Sequence, residues 1–566
     1  MKITFQDLGA LACGELELKP FTIIAGANNS GKTYVSYSLW GFLELWANFV
    51  SFSSLQHEIL SGLLEKGEWE ISSEKLVKHA RQALVKACEN YSKSIHRVLA
   101  GTEKHFEKTK FHVEEMDFES FKNKPFERTA SRAKKSIIRA SYAGGEAPVK
   151  VSLLSDDGGR EEGVSNEIIA MAYSFVNGVL KEQIFANQLP EVFIASAERT
   201  GATIFQKELD LHRNRLLDEL GNTSAVKSPD LFHQAQKISK DYALPVKSNI
   251  DFIRGIESFS KETSVLVEQF SDILDDFHDI IGGEYKMVKN EGTVFVPSKG
   301  SSIKLTMGES SSAVRSLLNI GAYLKHKAKP GDLLIIDEPE LNLHPANQRK
   351  VARLLARLVN VGIKIFITTH SDYLIKELNT LIMLSGEDPH LEKVRIDEKY
   401  KKSELLTANQ MSVYLAAQGL CKYGDMKKAK SAMTLVPDTT ALLALHITSP
   451  HHRAIAQAMT DDPTWCASAM ALAESLAGID RLTEEPLLRD EIEDAIRRTW
   501  DYIHVIPVDQ RCIDEASLIS RTQPVSLGSA LHLAAAQRLP RPVSFATLDA
   551  AQLTVALGLG FTVISA

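Results

Sequence analysis

The chain has 566 residues, and at roughly 100 to 200 residues per domain this length predicts several folding units. Hydrophobic residues make up 44% of the chain and charged residues 24%, which excludes a mostly disordered or fibrous protein. Without a long apolar run, a signal-like N-terminus or clustered cysteines, we expect a cytoplasmic protein that has no membrane span, zinc site or disulfide framework.

The charge is unevenly divided along the chain. Residues 434–566 contain nine arginines, no lysine and sixteen acidic residues, so this tail accounts for the whole net charge of −7. The change predicts a boundary near Met433, with a body at 1–420, a linker at 421–433 and a tail domain at 434–566. A natural fusion and an artificial one both fit this change of composition.

The first pattern with chemical meaning is a glycine-rich loop. The apolar run 21–25 predicts a strand, the sequence GANNSGKT follows, and a helical pattern comes next. In that context the loop predicts a phosphate cradle for ATP, in which Lys32 reaches the β- and γ-phosphates and Thr33 holds Mg²⁺. The candidate nucleotide-binding residues are Gly26, Asn28, Asn29, Ser30, Gly31, Lys32 and Thr33. For the loop alone, the alternative is a chance glycine turn.

The long interval between residues 33 and 307 predicts a subdomain inserted into the sheet. Its charge and apolar spacing favour helices, so we expect a helical insertion at about 45–190 and 205–283. Apolar residues from 266 to 281 predict one helical face within it. A basic stripe is a candidate contact for nucleic-acid phosphates, although the acidic residues among its members favour a solvated face. The stripe consists of Lys75, Lys78, Lys86, Lys93 and Arg97.

Two later strands end in polar side chains. The run 333–337 ends in Asp337 and Glu338, and the run 363–369 leads to His370. In open α/β sheets ligands bind at the carboxyl ends of the strands, which places these side chains beside the loop. Asp337 is a candidate Mg²⁺ ligand, Glu338 is the candidate base for the attacking water, and His370 is a candidate γ-phosphate contact. Taken singly, the acids also fit a solvated turn and the histidine a helix cap.

Three segments together resemble ABC-type ATPases of the RecF/OLD-like branch, AAA family ATPases found in DNA repair and phage defence. They are GANNSGKT (Walker A), LLIIDEPELNLHP (Walker B) and TTHSDYLIKEL (switch histidine). The resemblance covers about residues 1–420 apart from insertions. It implies a signature segment at 307–315, with Ser311 and Ser312 as nucleotide contacts, although the sequence of this segment differs from the LSGGQ signature of transporters. It also implies a homodimer with ATP between the loop of one subunit and the signature of the other.

The tail places three acids near the ends of apolar segments. Asp438 follows a short strand pattern, Glu474 lies in a helix pattern among small and apolar residues, and Asp549 follows a second strand pattern. Carboxylate oxygens from separate elements suit Mg²⁺ or Mn²⁺, which activates water for phosphodiester hydrolysis. We therefore predict that these three acids are metal ligands and catalytic residues. Taken singly, Asp438 and Asp549 also fit scattered surface acids.

Residues 434–566 resemble a PIN domain, the ribonuclease fold of VapC-type toxins, in the segments PDTTALLAL, AMALAESLAGI, LGSALHLAAAQ and FATLDAAQLTVALGLGFTVIS. Members of that family usually have a further aspartate where this chain has Ser529, which puts efficient catalysis in doubt. The sequence thus predicts an α/β protein, a P-loop ABC-type ATPase with a helical insertion followed by a small parallel α/β PIN-like domain.

The leading functional hypothesis is an ATPase that controls a metal-dependent PIN nuclease, as a phage-defence or toxin-like effector. Its expected partners are RNA or DNA, an effector or antitoxin protein, and a second copy of the chain, but no membrane. A second hypothesis is a RecF/SMC-like DNA-binding ATPase whose tail is an inactive interaction module. In a third, the two halves do not communicate, and removal of the tail leaves the ATPase rate unchanged.

Overall fold

The chain divides into two compact units, Met1–Tyr423 and Gly424–Ala566. The computed structural model describes residues 1–114, 116–132, 135–154, 166–204, 242–289, 291–298, 303–386, 389–416, 419–422, 434–447, 450–461, 464–483, 485–539 and 542–565. Met433 and most of the predicted linker lie outside the described residues. Residues 421 and 422 belong to the last strand of the first unit.

The first unit alternates strands and helices along the chain. Its strands are β1 (Lys2–Leu8), β2 (Leu11–Glu17), β3 (Phe21–Ala25), β4 (Glu68–Ile71), β5 (Lys110–Glu114), β6 (Phe126–Arg132), β7 (Lys135–Tyr142), β8 (Val149–Leu153), β9 (Val192–Ala195), β10 (Gly283–Val288), β11 (Gly292–Pro297), β12 (Leu305–Thr306), β13 (Leu333–Asp337), β14 (Lys364–Thr369), β15 (Met411–Ala416) and β16 (Leu420–Lys422). Its helices are α1 (Lys32–Phe49), α2 (Gln56–Lys66), α3 (Ser73–Val98), α4 (Asn166–Lys181), α5 (Arg199–Ile204), α6 (Leu244–Phe259), α7 (Val265–Gln269), α8 (Asp272–Ile281), α9 (Ser312–His326), α10 (Pro345–Asn360), α11 (Asp372–Met383) and α12 (Pro389–Asp397).

A nine-stranded sheet organises this unit, in the order β5-β1-β2-β16-β15-β3-β14-β13-β9. The strands from β15 to β9 are all parallel, so their carboxyl ends lie at one edge. The other half contains the antiparallel pairs β1–β2 and β1–β5. The strand that precedes the glycine loop is therefore central, beside the strand that leads to the histidine.

The central strands are apolar throughout because both faces of the sheet are covered. All five residues of β13 are buried. Leu333 and Ile335 belong to the core that packs against α1 and α3, whereas Leu334 and Ile336 belong to the core with α6, α9 and α10. The twofold alternation of side chains along a strand divides one hydrophobic run between two layers.

The insertion contains a sheet in addition to the helices that the sequence predicts. Helices α2, α3 and α4 are present, but β4, β8, β7 and β6 form a four-stranded antiparallel sheet. The long helix α3 buries one side against the core shared with α1, and β5 joins the main sheet through β1. The insertion is thus packed into the unit. Its predicted part at 205–241 lies outside the described residues.

The apolar face predicted from 266 to 281 belongs to two helices. Helix α7 ends before Phe270, and α8 begins at Asp272. Leu266 and Phe277 are both buried in the core beneath α9 and α10, so the predicted single helical face is divided between two helices that share one core. Helix α8 ends at Gly282, whose positive φ of 71° is readily adopted by glycine.

The second unit is a five-stranded parallel sheet flanked by helices. Its strands are β17 (Thr434–Pro437), β18 (Thr464–Ser468), β19 (His504–Ile506), β20 (Val543–Ala546) and β21 (Thr562–Ile564), in the order β19-β18-β17-β20-β21. Its helices are α13 (Thr439–His446), α14 (His452–Asp461), α15 (Ala469–Ile479), α16 (Pro486–Trp500), α17 (Gln510–Thr522), α18 (Leu527–Gln537) and α19 (Ala550–Gly558). The predicted α/β fold class, with a small parallel α/β domain after the first unit in the chain, is confirmed. Within the described ranges, none of the helices has the length and apolar character needed to cross a bilayer.

Candidate functional site

The glycine loop joins β3 to α1 at the edge where the parallel strands end. Gly31 precedes the helix with a positive φ of 89°. At Gly26 an added Cβ would lie 2.7 Å from the carbonyl oxygen of Ala416, so the loop and β15 are too close for a larger residue. Lys32 is 6% exposed, and its Nζ donates to the carbonyls of Gly26 at 2.9 Å and Ala27 at 2.6 Å. The ammonium is therefore already held at the mouth of the loop.

The other loop residues present backbone and small side chains. Asn28 and Asn29 are exposed, and Asn29 has a positive φ of 61°, which asparagine tolerates better than most residues. The Oγ of Ser30 is buried and has no hydrogen-bond partner among the described residues. The loop thus retains an unused hydroxyl, and turns of this kind direct backbone N–H groups towards an anion.

Asp337 connects the loop to the second acid-bearing strand. The Thr33 Oγ1 donates to Asp337 Oδ2 at 2.9 Å, and Thr368 donates to Asp337 Oδ1. Asp337 is fully buried, and burial raises its pKa to about 6. Its carboxylate is therefore mostly ionised at neutral pH, although it is removed from water.

These residues fit a magnesium-bound nucleotide. A threonine hydroxyl and a carboxylate are the hard oxygen ligands that Mg²⁺ prefers, and here they are in direct contact. The buried carboxylate of Asp337 accepts hydrogen bonds from two neutral hydroxyls, so a cation bound beside it would stabilise its negative charge. The loop supplies the anion-binding part, since it precedes a helix of eighteen residues.

Glu338 and His370 face each other across the ends of β13 and β14. His370 Nδ1 lies 3.6 Å from Glu338 Oε1 and 3.4 Å from Glu340 Oε1. The side chains of Glu338 and His370 are 27% and 46% exposed, so both can reach a ligand. Glu340 is only 6% exposed, and its Oε1 accepts from the His370 N–H at 2.9 Å and from Thr369 Oγ1 at 2.8 Å. Glu340 therefore fixes the segment that carries the histidine.

Ser311 and Ser312 lie at the beginning of α9. Ser311 caps the helix, its Oγ accepting from the Val314 N–H at 3.3 Å, and both serines are exposed. Arg315 donates to the carbonyl of Ser310 at 2.6 Å and holds the preceding turn. The two serines are therefore exposed at a helix N-terminus, and their contact with nucleotide stays a prediction.

In the second unit, Asp438 lies at the end of β17 and caps α13. Its Oδ1 accepts from the Ala441 N–H at 2.9 Å and from Thr440 Oγ1 at 2.7 Å, and its Oδ2 accepts from Thr547 Oγ1 at 2.7 Å. Asp438 is fully buried, and burial raises its pKa. The carboxylate therefore has protein donors on both oxygens.

Asp549 is linked to Asp438 through a single threonine. Thr547 Oγ1, which donates to Asp438, also accepts from the Asp549 N–H at 3.0 Å. Asp549 caps α19 through the Ala551 N–H, and its Oδ2 accepts from Ser529 Oγ at 3.2 Å. Ser529 therefore occupies a place beside the carboxylate of Asp549.

Glu474 belongs to a second group, centred on His532. Its Oε2 lies 2.8 Å from His532 Nε2 and accepts from Thr439 Oγ1 at 2.7 Å. The hydrogen bond with His532 lowers the pKa of Glu474. His532 is 2% exposed, and its Nδ1 lies 2.8 Å from Ser468 Oγ.

The three predicted acids of the tail thus lie in two hydrogen-bonded groups. Across the part of the chain that the structure describes, no three His, Cys, Asp or Glu side chains are arranged to hold a metal ion. The fit of Asp438, Glu474 and Asp549 to a metal is therefore incomplete, and the predicted metal site stays a prediction.

Comparison with known families decides the identity of the first unit. A family model described as AAA ATPase domain matches residues 1–375, more than half of the chain. The chain belongs to the AAA ATPase domain family. A PIN domain model matches residues 435–566, so this AAA ATPase carries a C-terminal PIN domain, and both predicted resemblances are confirmed.

Three solved structures illustrate what this AAA ATPase is similar to. A toxin–antitoxin complex from Klebsiella pneumoniae is 19% identical, covers 23% of this chain and 95% of its own, and has a TM-score of 0.18. An Smc head bound to the C-terminal winged-helix domain of ScpA is 12% identical, covers 66% of this chain and 91% of its own, and has a TM-score of 0.26. An Smc head with an extended coiled coil bound to the C-terminal domain of ScpA, from Pyrococcus furiosus, is 15% identical, with coverages of 66% and 90% and a TM-score of 0.25. No curated protein matches this AAA ATPase.

Three residues of the sites of this AAA ATPase are absent from the sequence-based site predictions. Glu340 contacts the histidine segment, His532 contacts Glu474, and Arg199 lies behind Asp337 and Glu338. Arg199 is fully buried, and its guanidinium donates hydrogen bonds to backbone carbonyls.

Proposed function

We propose that this AAA ATPase binds ATP with Mg²⁺ at the edge where β3, β13 and β14 end, and that it hydrolyses the ATP there. The observation that carries the proposal is the 2.9 Å hydrogen bond between Thr33 and Asp337. It joins the phosphate loop to the acid-bearing strand, at the edge where open α/β sheets bind their ligands. Lys32 lies in the same loop, at the mouth of the phosphate cradle.

Each residue of this edge has a separate task in the proposed reaction. Lys32 exchanges its two loop carbonyls for phosphate oxygens, which brings a cation to the transferred group. Glu338 accepts a proton from the attacking water, and His370 contacts the γ-phosphate from the neighbouring strand. Thr33 and Asp337 would hold Mg²⁺, and the bound ion would neutralise part of the phosphate charge.

The serines at the start of α9 support a homodimer. Ser311 and Ser312 are exposed at a helix N-terminus, which favours anions. We infer that they contact the ATP held by the glycine loop of a second copy, so that two ATPase units associate head to head. ATP binding then controls assembly, and hydrolysis reverses it.

The proposal extends to the PIN domain. A PIN domain is the ribonuclease fold of toxin-like proteins, so we propose that the ATP cycle controls cleavage of RNA or DNA in the cytoplasm, as a phage-defence or toxin-like effector. An antitoxin or effector protein is the proposed partner. Asp438, Glu474 and Asp549 are the proposed catalytic acids, with Mg²⁺ or Mn²⁺. Among the described residues, these three acids do not form a three-ligand cluster.

A second candidate function follows from the same unit. Ser529 offers a hydroxyl where PIN nucleases usually have a carboxylate, and Asp438 already has donors on both oxygens. These observations favour a RecF/SMC-like DNA-binding ATPase whose PIN domain is an inactive interaction module.

One experiment tests both candidates. The full chain is incubated with labelled single-stranded RNA or DNA, with Mg²⁺ or Mn²⁺, and with or without ATP, and both ATP hydrolysis and strand cleavage are measured. The test variant is Asp337→Asn, and Asp372→Asn is the matched control, since Asp372 has an 82% exposed side chain outside the site. We expect hydrolysis to be lost in the first variant and retained in the second.

The outcomes separate the parts of the proposal. Hydrolysis at the parental rate in Asp337→Asn would refute the ATPase site. ATP-dependent cleavage supports the controlled nuclease, whereas salt-sensitive DNA binding without any cleavage favours the inactive module.

A further inference from the structure

A fully buried arginine lies behind the proposed catalytic carboxylates. Arg199 is the largest of the fully buried side chains and begins α5, at the end of β9, which neighbours β13 in the main sheet. Among the described residues, its guanidinium donates hydrogen bonds to backbone carbonyl oxygens alone. The buried positive charge of Arg199 is therefore held there by carbonyl dipoles, without a hydrogen bond to a carboxylate.

The four carbonyls belong to three separate segments. Arg199 Nη1 donates to Ser196 at 2.9 Å and Asp337 at 2.6 Å, Nη2 donates to Glu338 at 2.8 Å, and Nε donates to Ser316 at 2.8 Å. Asp337 and Glu338 end the acid-bearing strand β13, whereas Ser316 lies in α9. A planar guanidinium with donors in fixed directions can join segments in this way.

Glu338 has an unusual backbone conformation at this point. Its φ is 52°, in the left-handed region that side chains other than glycine and asparagine rarely adopt. The Glu338 N–H donates to the carbonyl of Thr368 at 3.1 Å, and the Glu338 carbonyl accepts from Arg199. Contacts on both sides of the residue therefore hold the conformation that points its carboxylate towards His370.

The charge of Arg199 persists in spite of its burial. Burial lowers its pKa to about 10, and the neighbouring acids Asp337, Glu340 and Glu338 oppose this change. The group is therefore protonated at neutral pH. Its positive charge lies beside three acids before any metal or nucleotide binds.

We propose that Arg199 is a positioning residue for ATP hydrolysis, which holds the Glu338 backbone in its left-handed conformation and ties it to α9, the helix that begins with Ser311 and Ser312. The inference rests on the proposed function, in which Glu338 polarises the attacking water. It deepens that function, because Arg199 connects α9 to the catalytic base. When α9 contacts the nucleotide of a second subunit and shifts, the Ser316 carbonyl moves Arg199, and Arg199 moves the Glu338 backbone. Arg199 itself touches no substrate.

The test compares two buried arginines of the same unit. Arg199→Lys keeps the charge but replaces the planar fork by a point-like ammonium, which cannot reach three segments at once. The control is Arg357→Lys, since Arg357 is 6% exposed and pairs with Asp272 and Asp276 on α8, outside the site. For the full chain of each variant, kcat, KM, ATP affinity and the thermal unfolding midpoint are measured.

We expect Arg199→Lys to lower kcat at least about tenfold while ATP affinity changes by less than about threefold, because the binding loop is intact and only the base is misplaced. Arg357→Lys should leave both unchanged. In a Glu338→Gln background, Arg199→Lys should cause no further loss of rate, since both changes act through the same residue. A purely structural role would instead lower the unfolding midpoint and reduce kcat only in proportion to the folded fraction.

Three results overturn the inference. A folded Arg199→Lys chain with the parental kcat would do so, as would an equal loss of rate on top of Glu338→Gln. If Arg199→Lys does not fold, Arg199→Gln, which retains amide donors, takes its place, and failure of both to fold assigns Arg199 to stability alone. An absence of ATP hydrolysis by the parent chain is a different result, because it refutes the proposed function itself and the inference with it.

Discussion

Two buried aspartates at the ends of parallel strands, one in each unit, have very different surroundings. Asp337 and Asp438 are both fully buried, and burial raises the pKa of each. Asp337 accepts hydrogen bonds from two threonine hydroxyls, one of which belongs to the phosphate loop. Asp438 accepts from a backbone N–H and two hydroxyls of its own unit.

The second difference concerns nearby cations. In the ATPase unit the buried cation Arg199 lies beside Asp337, Glu338 and Glu340, and Lys32 is the neighbour in sequence of Thr33, which contacts Asp337. In the PIN unit the acids are divided, with Glu474 held by His532 and Asp549 held by Ser529. An aspartate at a strand end is therefore not a site by itself, because its partners decide whether its charge is available to a ligand.

The largest effect is expected at Glu338. Glu338→Gln should retain ATP affinity but slow hydrolysis by about a thousandfold, since loss of a general base typically costs a factor of 10² to 10⁴. If ATP bridges two subunits, this variant should also accumulate as a dimer. Light scattering and a hydrolysis assay measure the two effects. A Glu338→Gln chain that stays monomeric with ATP would refute the bridged dimer, and the parental rate would refute the base.

At Lys32 the expected effect is on binding. Lys32→Ala removes the ammonium from the mouth of the loop, and we expect ATP affinity to fall by about a hundredfold because the backbone donors alone remain. A fluorescence titration measures the affinity. The matched control is Lys376→Ala, whose 79% exposed side chain lies on α11, and its affinity should equal that of the parent. Equal affinity in both variants would contradict the phosphate cradle.

In the PIN unit, Ser529→Asp tests whether the missing carboxylate limits catalysis. The new acid would lie beside Asp549, so without metal it should lower the thermal unfolding midpoint, and Mn²⁺ should restore it. We expect weak cleavage of single-stranded RNA by the parent, preferring Mn²⁺ to Mg²⁺, and an increase of about tenfold in the variant.

Asp438→Asn is the control for this comparison, because the amide oxygen still caps α13 while the charge is lost. It should abolish cleavage in both backgrounds. Cleavage at the parental rate in Asp438→Asn would show that the PIN unit does not act through this acid. If neither the parent nor Ser529→Asp cleaves any strand, the inactive module is favoured.

The smallest effect is expected at Glu340. Glu340→Gln keeps one oxygen for Thr369 and the His370 N–H but removes the charge, so we expect kcat to fall about fivefold with ATP affinity unchanged. Steady-state hydrolysis measures this loss. Asp372→Asn removes one charge from the next helix and should retain the parental rate, and an equal loss in both variants would exclude a specific role for Glu340.

Continuous motifs made the ATPase edge predictable from the sequence. The loop residues at 26–33 are consecutive in the chain, as are the acids at 337 and 338, and the strand period identifies the elements that carry each motif. Contacts between distant segments were not predictable in the same way. Arg199 meets Asp337 after more than a hundred intervening residues, and His532 meets Glu474 across three intervening elements. Nothing in the local pattern of either residue specifies its partner.

The sheet of the insertion was missed for a related reason. Strands β4 and β6 are rich in charged and polar residues, and the neighbouring helix α3 has the stronger periodicity. One face of β4 is buried and the other exposed, so only every second residue carries the apolar signal. Short two-sided strands of this kind are easily read as parts of helices when their pairing partners are unknown.

The position of β3 in the sheet has a consequence for biosynthesis. This strand, at residues 21–25, pairs with β14 at 364–369 and with β15 at 411–416, and Gly26 lies against Ala416. At roughly 5 to 20 residues per second, the ribosome takes about 20 to 80 seconds to supply the second neighbour. A nascent chain therefore carries an unpaired apolar strand through most of its translation, and its ATP-binding capacity matures just before the PIN domain begins to emerge.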